Sequence, residues 1–291
     1  MDALTSSFGL DPKLEQGIRA IGTTLNPDTL AQSRALFEPV MDHSLPSGAI
    51  RTNDLSYGDN ARQVLDLCVP DGDAKPIVLF VPGGGFTGGT KDAYAHIPAF
   101  FARQGWIGAI MNYRLAPDFL WPAGAQDVSR AIDWLATHAG DHGGDASRIY
   151  VVAQSAGAAH ASSALFDPGL RPKTDIRAAV LMSGLYRLKS GVNGANAAKY
   201  FGEDESLFAD RSAANHVASS TVKVFLTLAE LDPYYLVSST LDLMDALARR
   251  DGVSPPLTWL KGHNHISPAL VLGGPGDELG PAIIQTLLGA G

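Results

Sequence analysis

The first regular spacing of apolar residues along the chain has the period of a helix. It covers residues 11–42 in two pieces, which break near Asn26 and Pro27. Asn26 or Asp28 could cap the second piece, because both side chains accept hydrogen bonds from the free N–H groups of a first helical turn. The pattern therefore predicts two short helices.

Beyond residue 49 the period of the apolar residues shortens to two. Residues 50–57 and 62–69 alternate apolar and polar side chains, and the turn-forming residues Gly58-Asp59-Asn60 lie between them. Alternation of this kind is typical of a strand with one buried face, and a short turn joins two such strands. This segment predicts an antiparallel hairpin.

From residue 76 onward, continuous apolar runs alternate with helical patterns. A strand covered by helices on both sides reads as an unbroken apolar run. The predicted strands are residues 77–81, 106–111, 149–152, 178–182, 222–228 and 257–260. The predicted helices are residues 94–103, 125–138, 156–166, 237–250 and 280–288. This alternation indicates an α/β fold with a mostly parallel sheet flanked by helices, the hairpin at one edge, and room for a small helical insertion in residues 185–220.

Composition narrows the class of protein. The chain has 291 residues, of which 45% are hydrophobic and 18% charged, and this size suits a single α/β domain. Its 22 basic and 30 acidic residues give a net charge of −8. No basic cluster stands out, so we expect no nucleic-acid partner, because phosphate binding needs a basic face.

The N-terminal residues and the cysteine content indicate the cellular compartment in which the protein is expected. Residues Met1–Ser7 lack the basic start and apolar core of a signal peptide, and no apolar run approaches the roughly 18 residues of a membrane helix. Cys68 is the one cysteine and lies in an apolar alternation, so we expect a small buried side chain. These features predict a cytoplasmic protein with no membrane partner.

The strongest chemical signal is a serine between a predicted strand and a predicted helix. Residues 149–152 lead directly into Ala153-Gln154-Ser155-Ala156-Gly157, where the helix begins. A serine at the apex of so sharp a turn is strained and presents its hydroxyl, and the turn needs small residues on either side. The usual motif is G-x-S-x-G, from which Ala153 departs. We predict that Ser155 is a nucleophile.

A glycine-rich loop, Pro82-Gly83-Gly84-Gly85-Phe86, follows the strand 77–81. Acyl transfer passes through an oxyanion that needs donors already in place, and consecutive glycines let backbone N–H groups turn towards one point. The N–H of Ala156, directly after the nucleophile, would supply another donor.

The same glycines match a second pattern. Gly83, Gly85 and Gly88 have the G-x-G-x-x-G spacing of a dinucleotide-binding loop. The next strand, however, ends in Met111-Asn112-Tyr113-Arg114, without the acidic residue that such a site requires, and no Walker lysine follows. A glycine turn without a chemical role is the other alternative. We expect no cofactor.

A serine nucleophile needs a base, and the base needs a third group to orient it. Asp232 follows the strand before the last and is the predicted acid, with Glu230 as the second choice, although an acid there can simply cap a helix. His263 and His265 follow the last predicted strand. We predict that His265 is the base, because its loop must reach back over the nucleophile, and that His263 lies outside the catalytic set or at the surface.

His263 and His265 could instead bind a metal ion. An H-x-H pair is a weak signal and no third ligand is apparent, so we expect no metal. His160 lies one turn into the helix after Ser155, and we expect it to be packed or hydrogen-bonded there.

Several motifs in a fixed order give the chain a resemblance to a known family. They are Pro82-Gly83-Gly84-Gly85-Phe86, Tyr113-Arg114-Leu115-Ala116-Pro117, Asp127 with Trp134-Leu135, Gln154-Ser155-Ala156-Gly157 and Glu230-Leu231-Asp232-Pro233. Over about residues 62–290 the chain resembles the hormone-sensitive-lipase-like branch of the α/β-hydrolases, which are mostly carboxylesterases. The resemblance implies the α/β-hydrolase fold. It also implies a triad and an oxyanion hole, formed by Ser155, Asp232 and His265 and by Gly84, Gly85 and Ala156.

The resemblance also divides the chain. Residues 1–45 would form the helical cap of the family over the acyl site, and residues 46–291 the catalytic domain, within one structural domain overall. Two residues depart from the family pattern: Pro82 replaces a histidine before the glycines, and Gln154 replaces an acid before the nucleophile. Proline cannot brace the loop by a side-chain hydrogen bond but restricts its own φ, so we expect the loop geometry to survive.

These residues predict a serine hydrolase that cleaves carboxylic esters of short to medium acyl chains through an acyl-enzyme. An amidase or formamidase could use the same triad, and the stretch Ser155–His160 is similar to that of formamidase relatives. A non-catalytic binding protein would usually lack a triad member, and a nicotinamide oxidoreductase would need the missing acid. The expected partner is a small ester, and an edge strand or the last helix could pair two copies of the chain.

Overall fold

The structure is a computed structural model that describes residues 10–289. The predicted absence of a signal peptide at Met1–Ser7 lies outside the described residues. So do the first nine residues of the predicted cap and the last two of the predicted catalytic domain.

Eight strands form one sheet across the described residues. They are β1 (Ile50–Ser56), β2 (Val64–Val69), β3 (Lys75–Val81), β4 (Ile107–Met111), β5 (Gly144–Gln154), β6 (Ala178–Met182), β7 (Lys223–Leu231) and β8 (Leu257–Asn264). Their spatial order is β1-β2-β4-β3-β5-β6-β7-β8. The β1–β2 and β2–β4 pairs are antiparallel and the remaining pairs are parallel. The predicted α/β class, with the hairpin at one edge, is confirmed.

Ten α-helices surround this sheet within residues 10–289. They are α1 (Pro12–Ile21), α2 (Pro27–Phe37), α3 (His96–Arg103), α4 (Ala123–His138), α5 (Ala156–Phe166), α6 (Ala197–Phe201), α7 (Phe208–Arg211), α8 (Tyr234–Asp251), α9 (Ser267–Leu270) and α10 (Leu279–Leu288). Short 3₁₀ turns occupy Glu38–Val40, Lys91–Tyr94, Gly140–His142, Glu205–Leu207, Ala213–Asn215 and Val217–Ser219. Strand β5 begins earlier and β8 ends later than predicted, because polar residues at those ends interrupt the apolar runs.

The two helices predicted in residues 11–42 are present and capped. Asn26 accepts a hydrogen bond of 2.9 Å from the Thr29 N–H, and the Thr29 hydroxyl in turn accepts from the Asn26 N–H, which forms a capping box at the start of α2. Helix α1 packs against β8 and α2 packs against α9. Ile18 and Phe37 bury the apolar faces of these helices. This segment therefore lies beside the strand and helix that flank His265.

The sheet carries a separate apolar core on each face. Along β3, Leu79 packs into the core formed with α4, α5 and α8, and its neighbours Val78 and Phe80 pack into the core formed with α1, α2, α3 and α10. Successive side chains of a strand point to opposite faces, so a strand buried on both faces needs apolar residues at every position. This explains the continuous apolar runs.

Residues 185–220, called the insertion below, form the predicted helical segment between β6 and β7. Its Tyr200 and Phe201 join Phe86, Ala156 and Leu236 in a third apolar cluster. The Phe86 and Tyr200 rings stack with centroids 5.1 Å apart. The insertion therefore packs directly on the glycine loop and on the start of α5.

Two smaller expectations concern burial and membranes. Cys68 is fully buried, as predicted for a small apolar side chain. No helix between residues 10 and 289 is both long enough and apolar enough to cross a membrane.

Candidate active site

Ser155 occupies the turn between β5 and α5 in a strained backbone conformation. Its φ is 57° and its ψ −124°, a region that non-glycine residues rarely adopt and that costs about 1–3 kcal/mol. The turn brings α5 against the end of β3, since a Cβ on Gly157 would lie 2.2 Å from the Val81 carbonyl oxygen. Ala153 is fully buried, so its methyl group fits at the position where the motif usually has glycine. The predicted strand–turn–helix arrangement is present, and Ser155 is partly exposed at its apex.

The structure brings Ser155, Asp232 and His265 together. The Ser155 Oγ lies 2.7 Å from His265 Nε2, and His265 Nδ1 lies 2.7 Å from Asp232 Oδ1. His265 and Asp232 are both buried. An imidazole that donates from Nδ1 to a carboxylate leaves Nε2 as the acceptor for the serine hydroxyl. The three side chains are thus arranged for proton transfer from serine to histidine.

The carboxylate of Asp232 is held by two further donors. Its Oδ2 accepts a hydrogen bond of 2.5 Å from the Ser183 hydroxyl and one of 2.8 Å from the Ala229 N–H. Ser183 follows β6 directly and has a φ of 48°. Ser183 was not predicted from the sequence, although a polar residue directly after a buried apolar strand is a signal that could have pointed to it. Asp232 is therefore oriented from two neighbouring strands.

The second-choice acid, Glu230, faces away from the imidazole. Its carboxylate accepts a hydrogen bond of 2.7 Å from the Gly262 N–H and lies 3.0 Å from the Arg19 guanidinium. The Gly262 hydrogen bond and the contact with Arg19 both lower the pKa of Glu230. Glu230 thus connects helix α1 to β8 and has no contact with His265.

His263 is buried, so the prediction that allowed it a surface position is wrong in that respect. Strand β8 continues through His263 to Asn264, and this carries the His263 ring inside the protein, 3.0 Å from the Ser267 hydroxyl. The positive φ of Gly262, 77°, lets the strand bend and continue past the point where the apolar run ends.

The described residues around His265 offer no metal site. Both ring nitrogens of His265 are engaged by Asp232 and Ser155. Within residues 10–289 no cluster of three His, Cys, Asp or Glu residues could hold a metal ion.

The glycine loop lies against the nucleophile. A Cβ on Gly83 would lie 2.9 Å from the Ser155 Cβ, and one on Gly84 would lie 2.0 Å from the Gly88 carbonyl oxygen. Gly85 has a φ of 59°. Among the described residues, the N–H groups of Gly84, Gly85 and Ala156 donate to no protein acceptor. These are the three donors predicted for an oxyanion hole.

Tyr113 braces the glycine loop at Pro82, one of the two residues that depart from the resembled family pattern. The Tyr113 hydroxyl donates a hydrogen bond of 2.8 Å to the Pro82 carbonyl. The residue after it, Arg114, forms a partly buried ion pair of 2.7 Å with the buried Asp127 on α4. The Tyr113 side chain therefore holds the glycine loop by the backbone carbonyl of Pro82, and no side-chain hydrogen bond from residue 82 is needed.

His160 is a packed helix residue, as expected. Its ring is buried and lies edge-on to the rings of Phe86, Tyr113 and Tyr200, at centroid distances of 5.4, 4.6 and 4.8 Å. Burial lowers the pKa of His160 to about 3. It is therefore neutral at ordinary pH and has no contact with Ser155.

A cavity of about 410 Å³ lies in the insertion. Apolar and polar side chains share its wall, among them Leu188, Asn193, Phe201, Glu203, Glu205 and Phe208. Asn196, between the lining residues Gly194 and Ala197, has its Nδ2 3.2 Å from the point that a Cβ on Gly85 would occupy. Phe201, which lines the cavity, packs edge-on against Phe86 of the glycine loop at a centroid distance of 5.2 Å, so one wall of the cavity contacts that loop. The volume is within the range of small-molecule pockets.

The sequence is similar to proteins that are named as esterases. Residues 65–167 match the family model BD-FAE. The chain is 32% identical over 235 residues to esterase LipQ of Mycobacterium tuberculosis, an alignment that covers 72% of this chain and 55% of LipQ. It is 36% identical over 147 residues to the probable carboxylic ester hydrolase LipM of the same organism, covering 46% of this chain and 34% of LipM. The chain thus spans between a third and just over half of the length of these relatives.

Solved structures share the fold at lower identity. Esterase B from Lactobacillus rhamnosis (HN001) superposes with a TM-score of 0.76 at 17% identity, over 96% of each chain. A hyperthermophilic esterase from the archaeon Pyrobaculum calidifontis gives 0.74 at 19% identity, over 97% of each chain. These superpositions confirm the predicted fold. The ordered motifs, the relatives and the architecture agree: the chain has the α/β-hydrolase fold, and its sequence resembles esterases of that superfamily.

Proposed function

We propose that this chain is a carboxylic ester hydrolase in which Ser155, His265 and Asp232 form the catalytic triad. The observation that carries the proposal is the unbroken chain of contacts from the Ser155 hydroxyl through His265 to Asp232, with 2.7 Å at each step. The relatives LipQ and LipM, which are named as an esterase and a probable ester hydrolase, support an ester as the substrate.

The geometry suits an acyl-enzyme mechanism. His265 Nε2 accepts the proton of Ser155 as the serine oxygen attacks the ester carbonyl carbon, and Asp232 stabilises the imidazolium that forms. The N–H groups of Gly84, Gly85 and Ala156 donate to the oxyanion. The imidazolium then returns its proton to the departing alcohol, and water hydrolyses the acyl-enzyme by the same steps.

The proposal gives two segments near the triad a role in substrate binding. The cavity in the insertion, whose lining residue Phe201 packs against Phe86 of the glycine loop, is the proposed site for one substituent of the ester, and a short to medium acyl chain is the substituent expected there. On the other side, Ser33 on α2 accepts a hydrogen bond of 2.8 Å from Asn264, the residue before His265. The predicted cap over the acyl site stays a proposal, which this contact supports for residues 10–45.

The test is hydrolysis of p-nitrophenyl esters from acetate to palmitate by the wild type and by Ser155→Ala. We expect the highest rates on short to medium chains and a loss of kcat on the order of 10⁴- to 10⁶-fold in the variant. A fluorophosphonate should label the wild type at Ser155 and leave the variant unlabelled. Ser163→Ala, in the same helix, is the matched control and should keep its activity.

Each contrary outcome has a distinct meaning. Full activity in Ser155→Ala overturns the mechanism. Labelling of Ser155 without hydrolysis of any ester keeps the triad and replaces the ester with an amide or formamide substrate. Absence of both hydrolysis and labelling in the wild type overturns the proposed function.

A further inference from the structure

Gln154 connects the strand of the nucleophile directly to the residue proposed as the base. It is the last residue of β5, next to Ser155, and only 1% of it is exposed. Its Nε2 donates a hydrogen bond of 2.9 Å to the backbone carbonyl of His265 and lies 3.5 Å from His265 Nε2. Strands β6 and β7 separate β5 from β8 in the sheet. The side chain thus joins two elements that are not neighbours in the hydrogen-bonded ladder.

The other end of the same amide has no partner. Gln154 Oε1 is buried and accepts no hydrogen bond from any described residue. It faces the glycine loop, since a Cβ on Gly83 would lie 2.2 Å from it. A buried acceptor without a donor destabilises the folded state, whereas an apolar side chain of similar shape would avoid that cost. Glutamine is therefore a poor choice for packing alone at this position.

Other contacts hold the turn around His265 locally but do not reach the nucleophile. The Ser267 hydroxyl accepts from the Asn264 N–H at 3.0 Å, and Asn264 Oδ1 accepts from the Ile266 and Ser267 N–H groups at 3.3 and 3.2 Å. These bonds shape the turn within residues 264–267. The Gln154 amide positions that turn relative to β5, and hence relative to Ser155.

We infer that Gln154 is a positioning residue, whose amide holds the His265 backbone so that the imidazole stays within proton-transfer distance of Ser155. The inference rests on the proposed function, because it gives His265 the role of the base. An error of about 1 Å in the placement of a catalytic group can cost on the order of 100-fold in rate. The unpaired Oε1 is the structural cost of this contact.

The first test is Gln154→Met, which keeps the length of the side chain but removes both the donor and the unpaired acceptor. We expect kcat to fall by roughly 10- to 100-fold, with KM within about twofold of the wild type. The melting temperature should stay the same or rise, because the buried unpaired oxygen is gone. Gln154→Glu keeps the shape, but an ionised carboxylate cannot donate to the His265 carbonyl, so kcat should fall at least as far.

Gln63 provides a matched control, since it is a second buried glutamine with both ends paired. Its Nε2 donates to Asp127 at 2.7 Å and its Oε1 accepts from the Asn60 N–H at 2.9 Å. Gln63→Met should lower the melting temperature and leave kcat unchanged. The two Met variants are therefore expected to show opposite effects.

The outcomes separate this inference from the proposed function. Full kcat in Gln154→Met, beside a dead Ser155→Ala, overturns the positioning role and leaves the triad intact. A fall in kcat that comes with a lower melting temperature shows a general structural role and also overturns it. A wild type that neither hydrolyses esters nor reacts with a fluorophosphonate refutes the proposed function itself.

Discussion

The loops around Ser155 and the hairpin edge around Lys91 are built from similar components. Each has a buried polar cluster and a non-glycine residue at positive φ, Ser155 at 57° in one and Asp54 at 58° in the other. At the hairpin edge, the buried Lys91 ammonium lies 2.9 Å from the Asp66 carboxylate and 3.0 Å from Asp54. Burial, charge and backbone strain alone do not distinguish the two regions.

The regions differ in how completely their polar groups are paired. At the hairpin edge, Asp66 accepts from both Lys91 and the Asp54 N–H, so its carboxylate is occupied from within the protein. At the candidate site, the N–H groups of Gly84 and Ala156 have no acceptor among the described residues. We conclude that unused hydrogen-bonding capacity next to a partly exposed nucleophile marks the candidate site, whereas a fully paired cluster stabilises the fold.

The substitution Asp232→Asn tests this distinction with the largest expected effect, which is a loss of activity. An amide at this position cannot hold the imidazole in the tautomer that accepts the serine proton, and we expect kcat/KM on a p-nitrophenyl ester to fall by about 10⁴-fold. Glu230→Gln is the matched control and should cost less than about tenfold, since Glu230 bonds Gly262 and Arg19 instead. Equal losses in both variants would show that the acid is assigned wrongly.

At the hairpin edge the expected effect is on stability. Lys91→Met removes the cation and leaves the Asp66 carboxylate buried without its charged partner, which should lower the free energy of unfolding by about 3 kcal/mol. Urea denaturation measures this change, and kcat should be unaffected. The exposed Lys173→Met serves as a control with a change of about 0.5 kcal/mol or less. A Lys91→Met protein that unfolds like the wild type but loses activity would reverse the roles of the two regions.

The smallest expected effect concerns His160, which lies beside the candidate site and whose buried Nε2 has no hydrogen-bond partner within residues 10–289. Because burial lowers its pKa to about 3, against about 6.5 in the unfolded chain, only the unfolded state binds a proton between these values. Stability should therefore fall as the pH drops below 6.5, by at most about 1.4 kcal/mol per pH unit for this residue.

His160→Phe should reduce that slope, and urea denaturation at pH 7 and pH 5 would measure it. The slope should not vanish, because burial also lowers the pKa of His96, to about 4. If the variant had the wild-type pH dependence, His160 would bind its proton as readily in the folded protein as in the unfolded chain. It would then be a group available to the candidate site rather than part of its packing.

Local patterns in the sequence were sufficient to predict much of the fold and the three candidate triad residues. The turn at Ser155 needs small neighbours, and Asp232 and His265 follow apolar runs. The pattern that predicts each of these residues thus lies within a few positions of that residue in the sequence. Contacts that depend on strand order were not predictable in this way. Ser183 reaches Asp232 because β6 lies beside β7 in the sheet. Neither the separation of the two residues in the sequence nor their types shows that these strands are adjacent.

The same limit applies to His263 and Gln154. The polar residues after Leu260 end the apolar run, yet β8 continues because its neighbour β7 also extends to Leu231. Gln154 stood out only as a departure from a family pattern. Its bond to the His265 carbonyl requires the two loops to meet across the edge of the sheet, and this is a property of the folded chain alone.

The strand order also has a consequence for synthesis. From β5 onward, each new strand adds to the same growing edge of the sheet in the order in which the ribosome releases it. A nascent chain that ends at Asp232 would contain Ser155 and Asp232 but would lack His265. The contact between the Ser155 hydroxyl and the His265 ring can therefore form only after the ribosome has released the final strand.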